Sequence, residues 1–139
     1  MSWIFYAILS AIFAALVAIF GKIGIKNIDS TLATTVRSVV MALFLIIVSL
    51  LSKKTALLST LHGKAFTFII FSGIAGALSW LFYFVALRNG PASGVAALDR
   101  LSVVFVLILA ILFLGESFTW KSGLGIGLMT VGAILMVIK

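Results

Sequence analysis

Five long apolar stretches, separated by short polar connections, run through the chain. They cover about residues 3–20, 32–51, 65–87, 92–114 and 120–138. Each is close to the roughly 20 residues that a helix needs to cross a bilayer. Barrel strands would instead alternate apolar and polar positions over about ten residues. The pattern predicts an all-α integral membrane protein: five transmembrane helices with antiparallel neighbours and short loops. On this reading residues 1–139 form a single transmembrane domain without a soluble part. The connections are brief. Lys22 and Lys26 follow the first run, and residues 27–30 form a polar link. Ser52-Lys53-Lys54 ends the second run, and Thr60, His62, Gly63 and Lys64 lie in the loop beyond it. Asn89-Gly90-Pro91 turns the chain into the fourth run, and Leu114-Gly115-Glu116 closes that run. A tight hairpin is expected across Gly115-Glu116-Ser117. Glu116 then sits at the membrane interface as a helix-terminal or turn residue, not as a catalytic acid.

Composition narrows the class. Hydrophobic residues make up 64% of the chain and charged residues 9%, against roughly 45–50% and 25% in average soluble chains. So little polar surface cannot coat a soluble globule of 139 residues. Ten Lys and Arg face only Asp29, Asp99 and Glu116, for a net charge of +7. In a soluble domain that balance would suggest nucleic acid. Here the basic residues mostly lie between apolar runs, where snorkelling and headgroup contact account for them. The lipid bilayer is the partner implied, and nucleic acid is not. There is no Cys, and His62 is the sole His. Metal sites built from His and Cys are therefore excluded within one chain, as are disulfides and thiolate chemistry. Three acids and one loop His leave few groups for acid–base or covalent catalysis, so an enzyme is not expected. The first run lacks a basic leading region and continues too far for a cleavable signal peptide.

Small residues mark helix contacts. Ala7, Ala11, Ala14, Ala18 and Gly21 form one stripe on the first helix, and Gly123 and Gly127 form a G-x-x-x-G on the fifth, with Gly132 further on. Such stripes let backbones approach closely in lipid. Two readings fit them: packing within one bundle, or the seam of a dimer. Trp3 and Trp120 begin their helices and fit interfacial anchors.

The sites of chemical interest are charges and polar groups inside apolar runs. Asp99 and Arg100 lie about two turns past Gly90-Pro91. Near mid-bilayer each such charge costs roughly 2.5–3.5 kcal/mol on insertion scales. Arg37 lies roughly two turns inside the second run, on a face shared with Ser30, Thr34 and Ser38. Runs two and four start on the same side of the membrane, so Arg37 and Asp99 are expected at similar depth, on one side. Asp99 shares a helix face with Ala96 and Ser102, while Arg100 is turned about 100° away. In the third run Ser72, Gly76, Ser79, Trp80 and Tyr83 fall on one helical stripe. This stripe should face protein or a cavity: either buried packing with hydrogen-bonded aromatics, or a substrate-lining surface. The expected site combines Arg37, Trp80, Tyr83, Asp99 and Ser102. Arg37 and Asp99 are either a functional pair or a structural ion pair that fixes helix register.

From residue 80 the sequence reads W-L-F-Y-F-V-A-L-R-N-G-P-A-S-G-V-A-A-L, then L-F-L-G-E-S-F-T-W, then G-L-G-I-G-L-M-T-V-G-A-I-L. The order and spacing of these segments resemble one repeat of the EamA family in the drug/metabolite transporter superfamily, and the whole chain is identified as a single-repeat, five-helix member. Family members often carry a Pro in the fourth helix about thirteen residues before the Glu of L-G-E. Here that position is Val103, so the resemblance does not supply a proline kink. Most members have two repeats, the second inverted. The resemblance therefore implies that two copies of this chain form a transporter for a small metabolite, with no prosthetic cofactor, in the cell (inner or plasma) membrane. The competing function is a non-transporting membrane component that assembles with another membrane protein.

Orientation follows the Lys/Arg bias of short loops. One side of the membrane receives Lys22, Lys26, Arg88 and Lys139, and the other Lys53, Lys54, Lys64 and Lys121. This even tally predicts dual insertion and an antiparallel homodimer, which would mimic an inverted pair of repeats. Including Arg37 and Arg100 tips the count to one side, so a parallel dimer stays open.

Overall fold

The computed structural model describes residues 2–138 and is helical throughout, with no strand among the described residues. Lys139, used in the loop tally above, lies outside the described residues. In chain order the elements are α1 (Ser2–Gly24), α2 (Ser30–Leu51), a 3-10 segment (Lys54–Thr60), α3 (Gly63–Asn89), α4 (Ala92–Asp99), α5 (Ser102–Leu109), a π-helical turn (Ala110–Leu114) and α6 (Trp120–Leu135). Four helical stretches are long and apolar enough to cross a membrane: Trp3–Gly24, Ser30–Leu51, Gly63–Asn89 and Ala92–Leu114. The fifth, Trp120–Leu135, is shorter at 16 residues. Its hydrogen bonds run on beyond Leu135, with Ile138 N–H donating to the Ile134 carbonyl at 3.1 Å. The chain divides into two compact units, one of residues 1–22 with 89–139 and one of residues 23–88.

The unit of residues 23–88 is organised by α2 and α3. Asp29 caps α2, its carboxylate accepting from Thr31 N–H at 2.9 Å and Leu32 N–H at 3.1 Å. These are orphan donors of the first turn, so the helix starts where the side chain supplies what the backbone lacks. Arg88, in the last turn of α3, lies 3.5 Å from the same carboxylate. The start of α2 and the end of α3 thus share one level, as an antiparallel pair requires. Hydroxyls on α2 are consumed by their own helix: Thr34 donates to the Ser30 carbonyl at 2.7 Å, and Ser38 to the Thr34 carbonyl at 2.8 Å. That back-bonding hides polar groups within an apolar helix. Ser30 and Thr34 are buried, and Arg37 is half-buried one turn further on. On α3 the covered face is Gly76, Trp80, Tyr83, Phe84 and Leu87, with Phe84 and Leu87 fully inside. Ser72 and Ser79, which the sequence stripe put on that face, are exposed.

In the other unit the fourth apolar run is not one uninterrupted α-helix. At Arg100 and Leu101 the backbone tightens: Arg100 N–H bonds the Ala97 carbonyl, Leu101 the Leu98 carbonyl, Val103 the Arg100 carbonyl and Val104 the Leu101 carbonyl. These are i to i−3 bonds, a single 3-10 turn between α4 and α5. The break falls beside Asp99-Arg100, without any proline. Asp is a poor interior helix residue because its side chain favours other local arrangements. At the far end the π turn closes on Gly115, whose φ of 67° is left-handed, a conformation that costs residues with a Cβ about 1–2 kcal/mol. Glu116 N–H then bonds the Ala110 carbonyl at 3.2 Å, and residues 115–119 form the turn into α6. Glu116 is therefore an exposed turn residue. Thr119 and Ser122 make a reciprocal capping box at the start of α6.

The two small-residue stripes are used differently. On α1, Ala18 is buried and Ala14 and Gly21 half-buried, while Ala7 and Ala11 are exposed. On α6 Ser122, Ile126, Thr130 and Ala133 are covered along one helical face, and Gly123 beside them is half-buried too. Gly127 is exposed, with open space where a Cβ would stand. Gly123 is covered by Phe118 of the same chain: a Cβ there would lie 2.7 Å from that ring. Gly94 of α4 meets the end of α6, with Val137 and Met136 within 4.0 Å of its would-be Cβ.

Candidate functional site

The site residues Arg37, Trp80 and Tyr83 come together in one cluster between α2 and α3. Arg37 lies seven residues in from Ser30, about 10 Å along the axis at 1.5 Å per residue. Trp80 lies nine residues before Asn89 on the antiparallel α3, at about 13 Å, which brings the two side chains to a common depth. The Arg37 guanidinium lies over the Trp80 ring, 3.7 Å from its centroid. Phe84 stands 5.6 Å from the same guanidinium. Trp80 and Tyr83 meet edge to face at 5.4 Å, and Trp80 and Phe84 at 6.2 Å. A cation over an indole face is worth about 0.5–2 kcal/mol, more as water is excluded. Aromatic faces thus hold the charge in this unit. Nη1 of Arg37 is buried and has no hydrogen-bond partner among the described residues.

Asp99 and Ser102 belong to the other unit. They flank the 3-10 turn of the fourth run, Asp99 as the last residue of α4 and Ser102 as the first of α5, and both are exposed. Arg100, between them, is exposed too. The loop acid Asp29 differs from these in its surroundings. The Leu32 N–H, first, holds its carboxyl below the usual carboxylate range; desolvation opposes this, and Thr31 N–H and Arg88 add to the lowering.

Two contributors escaped the sequence reading. Phe84 follows Trp80 by four residues, so the i+4 spacing that joined Gly76 to Trp80 would have included it. The Asp29–Arg88 contact joins two residues that had been read only as loop charges. Its signal was the antiparallel pairing of runs two and three, which puts their outer ends at one level.

Comparison with known proteins agrees along the whole length. The sequence matches the EamA-like transporter family over residues 1–138. A Sinorhizobium protein named as an uncharacterized transporter in the cobO 3′ region is 41% identical over 137 residues, covering 99% of this chain and 97% of that protein. No solved structure matches. A family match over nearly every residue, a full-length relative named as a transporter and several apolar helices of membrane length lead to one conclusion: the chain belongs to the EamA-like transporter family and is a multi-pass membrane transporter.

Proposed function

We propose that the chain moves a small metabolite across the cell (inner or plasma) membrane as a homodimer of single five-span repeats, with no enzymatic activity. The observation that carries this reading is the Arg37–Trp80 stack. A charge placed inside a membrane helix is costly, and here it is retained on an aromatic platform with a donor group left over. Arg37, Trp80 and Tyr83 line a substrate path within their own unit, and Asp99 and Ser102, at the 3-10 break of the fourth span, are the candidate substrate-handling residues of the other unit. Broken helices of this kind are where transporters handle substrates and ions near mid-membrane. The fifth span is α6 with the hydrogen-bonded turn that follows it, and residues 1–139 act as one transmembrane domain. The homodimer reading is supported by α6, where Gly127 stays open while Ile126 and Thr130 are half-buried. The balanced loop charges favour the antiparallel arrangement.

Reconstitution into liposomes tests the reading. Uptake or counterflow of at least one solute from a broad panel of metabolites and cations is expected. Failure to move any of them in sealed, oriented vesicles, with folded protein, would overturn it. A reporter fused to the C-terminus tests the antiparallel dimer: signal from both faces of the membrane supports it, and signal from one face alone excludes it.

A further inference from the structure

We propose that the edge of the Arg37 guanidinium is a receptor for one oxyanion group, a carboxylate or a phosphate, carried by a small organic anion or by a lipid headgroup. The proposal deepens the transporter reading and rests on it only for the idea that the anion is cargo. A guanidinium offers two kinds of surface. Its faces stack on aromatic rings, and its edge presents N–H donors in a planar fork that matches carboxylate and phosphate oxygens. In this protein a face is taken by Trp80 at 3.7 Å. The stack fixes the plane and leaves the edge. On that edge Nη1 is buried with no acceptor among the described residues. A buried charged donor without an acceptor is costly, and no side-chain or backbone oxygen among the described residues accepts from it. An acceptor brought in from outside removes that cost, and an anionic one removes it best. A cationic solute would meet a like charge at this point. Phe84, packed against Trp80, gives the rest of such a ligand an apolar surface, with Tyr83 beside it as an aromatic ring that carries a hydroxyl. The preferred ligand is therefore an anion with an apolar body.

The experiment reads binding at equilibrium, separately from transport. With Trp3→Phe and Trp120→Phe, Trp80 is the only remaining indole in the chain, and its fluorescence reports the site. The protein, in phosphatidylcholine discs, is titrated at fixed ionic strength with phenylacetate, phenyl phosphate and the neutral phenylacetamide. Saturable change with at least one of the two anions is expected, with the amide at least about tenfold weaker, as befits a hydrogen bond to a charged group. Arg37→Gln should abolish that preference, and Arg37→Lys, which keeps the charge without the fork, should restore part of it. Discs containing phosphatidylglycerol separate the sources. A shift of Trp80 emission by this lipid, with loss of anion binding, assigns the site to a headgroup; unchanged anion binding assigns it to a solute. If neither anion nor anionic lipid alters Trp80, or if the amide binds as well as the anions, the proposal falls. Should Arg37→Gln not fold, the anion-to-amide ratio of the parent still decides. Vesicles that transport neutral or cationic solutes while the site ignores anions would sink this proposal and leave the transporter reading standing. Anion binding without transport of any solute would do the reverse.

Discussion

The chain carries two arginines inside apolar runs, and its two units treat them in opposite ways. Arg37 is half-buried, stacked on Trp80, in a continuous α-helix. Arg100 is exposed, beside Asp99, at a point where the helix tightens into a 3-10 turn. In the first case neighbouring rings hold the charge and the helix is undisturbed. In the second the backbone itself departs from α geometry and the side chain has no enclosing surface. A charge in a membrane segment thus does not by itself mark one kind of place. What distinguishes the two is whether aromatic surface has been assembled around it.

The widest separation between the units should come from removing each charge in turn. Arg37→Met is expected to reduce transport at least about 100-fold while leaving thermal stability within about 1 kcal/mol, because an apolar side chain of similar length removes the buried, unpartnered donor together with the stack. Arg100→Met should stay within about 0.5 kcal/mol and retain most transport. Equal losses from the two, in flux through reconstituted vesicles, would erase the contrast drawn above. A related double variant, Arg37→Met with Asp99→Leu, asks whether the two charges act as a pair: recovered folding without transport assigns them a functional role, and recovery of both a structural one.

Trp80→Leu sharpens the comparison by attacking the platform and not the charge. It should cost about 1–3 kcal/mol from the lost stack and ring contacts and lower transport as well. Unchanged stability in a detergent melt would mean that the rings do not hold Arg37. In the other unit, Gly115→Ala should destabilise by about 1–2 kcal/mol through the left-handed backbone alone, since no atom crowds that position. A neutral result would show that the π turn before α6 relaxes freely.

The smallest effects belong at the ends of α2 and α3. Asp29→Ala should lower stability more than Arg88→Met, because the former removes a cap for two backbone donors and the latter an exposed ion pair worth little. Asp29 also sets a pH dependence. Its carboxyl is held below the ordinary value, chiefly by Leu32 N–H. The stabilisation is therefore complete above the unfolded-chain value of about 3.9 and fades as pH falls through the lower folded value. Acid melts should show a small extra loss below about pH 4 that Asp29→Ala lacks; identical profiles would contradict the capping role.

Hydropathy by itself determined the class, an all-helical chain with several apolar helices of membrane length. Apolar runs of membrane length must satisfy their backbone internally, so they are helices wherever they go. Capping and turn chemistry were equally local. Asp29, Gly115-Glu116 and Thr119 act through neighbours a few residues away, and their places could be read in order along the chain. Helical spacing also placed Trp80 and Tyr83 on one covered face. What only the tertiary structure decided was which long-range partners those faces meet. The sequence offered Arg37 a carboxylate at matching depth, Asp99, because opposite charges are the familiar solution to burial. Within its own unit the fold seats Arg37 on Trp80, since the pairing of α2 with α3 brings an indole face to that level. It also covers Ile126 and Thr130 of α6 while leaving Gly127 open. Small residues permit close approach but do not compel it, so only the packing of neighbouring helices fixes which face is used.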